Sequence, residues 1–95
     1  MKNATLKLID FYADWCSPCI IMKPVIDDLD KELGGDLMIE KINIDLNPTL
    51  ASQYQVFSIP TYVVVKDEKE VERVIGATSK DRLLDLIQKH LSQKD

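Results

Sequence analysis

Both cysteines of the chain, and its only tryptophan, fall in the stretch Trp15-Cys16-Ser17-Pro18-Cys19. Two thiols with two residues between them suit three chemistries: a structural cross-link, half of a metal site, or a dithiol that opens and closes. A helix starting here brings positions i and i+3 together within one turn, close enough for a disulfide. The ring so closed is small, so the entropy it removes from the unfolded chain is small too. Such a bond adds little to folding and is suited to being made and broken. The first cysteine sits at the helix N-terminus, where unpaired N–H groups and the dipole favour a thiolate. Cys16 is therefore the expected nucleophile, and Cys19, one turn further in and more shielded, the expected resolving thiol. Pro18 presets the first turn.

A zinc site within one chain needs two further ligands. His90 is the only histidine, and its place near the end of the final helix suits a cation against the helix dipole. Zinc shared between two chains and a pair of inert buried thiols remain as alternatives. The opening, "MKNATLKLIDF", carries one early lysine and no apolar run of signal-peptide length. The expected location is therefore cytoplasmic, where a permanent disulfide is not expected.

The elements that must hold this stretch are legible around it. "LKLIDFY" (Leu6 to Tyr12) is a short apolar run of strand length, interrupted by Asp10. After Cys16, Met22, Val25, Ile26, Leu29 and Leu33 recur at helical spacing. Pro24 lies inside that helix and predicts a kink, and Gly34 and Gly35 predict its end in a left-handed conformation. "LMIEKINI" (Leu37 to Ile44) reads as a strand, and Asn47-Pro48 as the cap and first position of a short helix. "TYVVVK" (Thr61 to Lys66) is a strand, Asp67 to Lys69 a tight turn, and "EVERVIG" a half-exposed strand. Thr78 to Asp81 fits a capping box for a last helix through Leu83, Leu84, Leu86, Ile87 and Leu91.

This order, β-α-β-α-β-β-α, predicts an α/β fold: a mixed four-stranded sheet flanked by helices, parallel at its start and closing in an antiparallel hairpin. The length of 95 residues fits a single domain over 1–95. With 45% hydrophobic and 29% charged residues, the chain has material for a core without staples. Its net charge is −4, with both signs interspersed. No basic stripe points to nucleic acid, and no apolar run is long enough to cross a membrane.

"DFYADWCSPC", "KPVIDDL", "EKINIDLNP", "IPTYVVVK" and "IGATSKDRLLDLI", in this order, resemble the thioredoxin family from about Leu6 to the end. The resemblance implies a thioredoxin fold with strand order 37–44, 6–12, 61–66, 71–75, lacking the usual N-terminal strand and helix. It implies a thiol–disulfide oxidoreductase that reduces protein disulfides through Cys16 and Cys19 with no cofactor. Asp10 would lie beneath Cys19 and move its proton, with burial raising its pKa. Lys41 matches the lysine that partners this acid, although a charge guarding an edge strand explains it equally well. Ile59–Pro60 would be cis, and the backbone before Pro60 would pair with an extended client segment. Trp15, Ser58, Ile59, Pro60, Gly76 and Ala77 would form the receiving rim. Ser17, where glycine is more familiar, tunes the redox poise together with Pro18; Tyr12 stands where a second tryptophan is common. Ile20 occupies a usually polar position, as surface apolarity or as part of a partner patch.

The implied partners are disulfide-containing client proteins and a thioredoxin reductase-type electron donor. The expected form is a monomer, with a dimer along the open edge of 37–44 as the alternative. Two other functions share the same surface: a protein-disulfide oxidant or isomerase, and a binding module without turnover.

Overall fold

The computed structural model describes residues 6–91. Its elements are β1 (Leu6–Tyr12), α1 (Ser17–Leu33), β2 (Leu37–Asn43), α2 (Pro48–Gln53), β3 (Thr61–Lys66), β4 (Lys69–Ile75) and α3 (Lys80–Leu91). The strands form one sheet in the order β2-β1-β3-β4. β1 and β2 run parallel, while β3 is antiparallel to both β1 and β4. This is the mixed sheet expected from the element sequence, with the strand order that the family resemblance implies.

Alternation along β1 divides the core. Leu6 and Leu8 face one way and pack with Met22, Ile26 and Leu29 of α1 and with Leu83 and Ile87 of α3. Ile9 and Phe11 face the other way, against Ile42, Val63 and Ala51 of α2. Two long helices thus cover one face, and a short helix covers the other. Tyr54, just beyond α2, adds a ring tilted against Phe11 with centroids 5.4 Å apart. Asp10 belongs to the α1/α3 face by this alternation, and its register partners are Lys41 on β2 and Tyr62 on β3.

Local chemistry departs from expectation at three junctions. α1 continues through Pro24 and ends at Gly34, which is right-handed (φ −57°, ψ −23°) rather than left-handed. Glycine is required there by space: a Cβ would lie 2.6 Å from the Asp30 carbonyl oxygen. Asn47 holds the cap position of α2 but makes no capping bond; its side chain donates instead to the Asn43 carbonyl at 3.1 Å. α3 is capped by Ser79 rather than Thr78, with Ser79 Oγ accepting from the Arg82 N–H at 3.1 Å. The hairpin between β3 and β4 turns on Asp67 and Glu68, both left-handed (φ 53° and 66°). That geometry matches the right-handed twist of the flanking strands.

Candidate active site

β1 delivers the chain to the site and α1 receives it. After Tyr12 the backbone turns through Ala13 and Asp14, with the Cys16 N–H donating to the Ala13 carbonyl at 3.2 Å. Cys16 is the N-cap of α1, extended at φ −89° and ψ 107°. Its Sγ accepts the Cys19 N–H at 3.2 Å. Pro18 lies in the first turn, where it gives up no helical hydrogen bond. The two sulfurs are joined, with the Cα atoms 5.2 Å apart. Cys16 is 4% exposed and Cys19 7%, so Cys19 is not the more shielded of the pair. What separates them is helix position: only the Cys16 sulfur receives a backbone N–H at the positive end of the dipole. Ser17 is exposed.

Asp10 lies on β1, the strand that leads into the site. It is 8% exposed, and it lines a cavity of about 200 Å³ together with Cys19, Lys41, Tyr12, Ile20 and Lys23. Burial pushes its pKa from 3.8 up to about 6, with the Lys41 ammonium drawing it back down. Lys41 also stands 3.6 Å from Asp27 of α1. It therefore acts on the buried acid while paired with a surface one. Tyr62, the register partner of Asp10 on β3, has its phenol pushed well up, by burial first and then by the Asp10 carboxylate.

The rim is built from two loops. Trp15 is 67% exposed, and its indole Nε1 donates to Asp45 Oδ2 at 2.7 Å. Asp45 is held in turn by its own N–H, which donates to Asn43 Oδ1 at 2.9 Å. Sequence reasoning missed Asp45; an acid two residues beyond the asparagine that ends a strand is a weak signal. On the other side, Ile59 packs against the cluster of Ala13, Cys16 and Cys19. The Ile59–Pro60 peptide is cis. The Pro60 ring is fully buried, so it supports the rim instead of forming its surface. Its carbonyl accepts the Gly76 N–H at 2.7 Å, where Gly76 turns at φ 94°. Ser58 and Ala77 are exposed beside these two residues.

Among the described residues, no three His, Cys, Asp or Glu side chains gather where they could hold a metal ion. His90 lies apart from the cysteines and instead bonds Glu72 at 2.8 Å.

The thioredoxin family model matches residues 1–89. Thioredoxin of Chlamydia caviae is 49% identical over 85 residues, covering 90% of this chain and 82% of the relative. Thioredoxin of Bacillus subtilis (strain 168) is 46% identical over 84 residues, covering 88% and 81%. Among solved structures, a mutant thioredoxin from Halobacterium salinarum superposes with a TM-score of 0.88 at 40% identity. That match covers 95% of this chain and 78% of the other. A disulfide-forming cysteine pair at a helix N-terminus, on this sheet and with these relatives, makes the molecule a dithiol–disulfide oxidoreductase. The chain belongs to the thioredoxin family, and its activity is the reduction of protein disulfides.

Proposed function

We propose that Cys16 is the attacking thiolate, Cys19 the resolving thiol and Asp10 the group that moves protons for Cys19. The Cys16 thiolate attacks one sulfur of a client disulfide, forming a mixed disulfide and releasing the first client thiolate. Cys19 gives its proton to the Asp10 carboxylate and attacks the Cys16 sulfur. The Cys16–Cys19 disulfide closes, the second client sulfur leaves, and that proton returns to the departing thiolate. Two electrons pass to the client, and a reductase-type donor must return two to the domain. The scheme uses no metal and no dissociable cofactor.

One observation carries the assignment of roles: Cys16 Sγ alone accepts a backbone N–H at the N-terminus of α1, which stabilises the thiolate. Asp10 fits its part because it shares a cavity with Cys19 and has a pKa raised to about 6, between an ordinary carboxylate and a thiol. Lys41 sets how readily Asp10 ionises, and Ser17 and Pro18 tune the poise of the pair. The client segment lies extended along Ser58 and Ile59, bordered by Trp15, Gly76 and Ala77 above the buried Pro60. The reaction belongs in a reducing compartment, the cytoplasm.

The test is a pair of variants assayed on a disulfide-bonded protein such as insulin. Cys16→Ser abolishes reduction, and Cys19→Ser accumulates a mixed disulfide between Cys16 and the client. Trapping by Cys16→Ser instead, with none by Cys19→Ser, reverses the two roles.

A further inference from the structure

Phe57 presents 92% of its surface to solvent, more than any other large hydrophobic side chain described. A lone exposed apolar residue is ordinary, but this one lies two residues before Ile59, which packs against the cysteine cluster. Two residues of chain span no more than about 7 Å. The ring therefore stands within reach of a segment joined to Cys16.

The loop that presents it is braced at both ends. The Gln55 N–H donates to the Ser52 carbonyl and the Val56 N–H to the Ala51 carbonyl, each at 2.9 Å. Arg73 reaches from β4, donating from Nη2 to the Tyr54 carbonyl at 2.7 Å and from Nη1 to the Gln55 carbonyl at 3.4 Å. Its guanidinium is fixed by Glu70 through bonds of 2.7 and 2.9 Å. Beyond Phe57, the Ser58 carbonyl accepts from Thr61 Oγ1 at 2.7 Å. An aromatic ring on a braced loop has little backbone entropy left to lose when a partner covers it. Rigid aromatic anchors of this kind carry much of the energy at protein interfaces.

We infer that Phe57 is a specificity residue for the reductase reaction, covering an apolar side chain of the extended client segment near the cysteine that joins Cys16. The inference rests on the client pairing along Ile59 proposed above. At about 3.3 Å per residue in an extended segment, the matching client position lies about two or three residues from that cysteine.

The experiment uses disulfide-bonded peptides carrying Leu or Ser in turn at successive positions on either side of the reacting cysteine. The wild-type chain prefers Leu over Ser by about tenfold in kcat/KM at one of these positions. Phe57→Leu retains the preference, and Phe57→Ser brings the ratio to within about twofold of unity. A ratio between two peptides on one protein cancels any inactive fraction, so partial misfolding of a variant cannot imitate the result. A preference that survives Phe57→Ser, or its absence from the wild-type chain, overturns the inference alone. Failure of the wild-type chain to reduce any of the peptides overturns the reductase reading, and the inference with it.

Discussion

In the proposed scheme Asp10 serves the chemistry at the expense of stability. Its pKa is about 6 in the folded chain against an ordinary 3.8, because burial disfavours the charged form more than Lys41 favours it. The folded state thus keeps its proton to a higher pH than the unfolded state does. The stability linked to that proton is fully present below about pH 3.8 and is lost as pH rises through about 6. Asp10→Asn, which cannot ionise, should stabilise the oxidised protein by about 1–3 kcal/mol near pH 8 and by little below about pH 4. Denaturant titrations at the two pH values measure the difference. The same variant should slow resolution of the mixed disulfide by about a hundredfold at neutral pH, read by stopped-flow mixing. It should also remove the inflection near 6 from the pH profile of that step. The interruption of an apolar run marked Asp10 in the sequence. Asp45 carried no comparable mark, because what defines it is the Trp15 indole arriving from another loop.

The helix ends show how far local chemistry can be read. α1 begins where the Cys-Ser-Pro stretch places it, and Cys16 caps it with sulfur in place of the usual oxygen. At α3 both Thr78 and Ser79 have the right chemistry, and choosing between them requires the path of the backbone after Gly76. Ser79 Oγ accepts the Arg82 N–H. Ser79→Ala should therefore cost about 1 kcal/mol of stability, and Thr78→Ala less than about 0.5 kcal/mol, by thermal or chemical unfolding. The α2–β3 loop was less legible still. Arg73 reads from its neighbours as an ordinary outward charge on β4, yet its guanidinium fastens the carbonyls beyond α2. Only the register that sets Arg73 opposite Val63 brings those carbonyls within reach.

The sheet leaves β2 and β4 at its edges among the described residues. Charges stand along β2: Lys7 pairs with Glu40 at 3.1 Å, and Lys41 with Asp27 at 3.6 Å. Charged side chains on an edge discourage strand-to-strand association. We therefore expect sedimentation velocity to show one monomeric species as concentration rises. A second, faster species that grows with concentration would instead favour the dimer along that edge. Among the described residues, no helix is long and apolar enough to cross a membrane.

Hydrophobic period, the special residues Pro and Gly, and the C-x-x-C spacing were enough to place the seven elements, their order and the reactive pair. Each is a local property, readable within a few residues of chain. Relations between distant segments became visible only once the chain had folded. The pairing of Asp10 with Tyr62 and the near-equal shielding of the two cysteines are of this kind, whereas the Lys41 partner and the burial of Asp10 were expected only through the family resemblance. The buried Pro60 ring and the braced loop that exposes Phe57 also became visible only in the fold. Burial and register belong to pairs of elements, so residues that read alike in sequence can differ in charge, exposure and role according to what the fold packs against them.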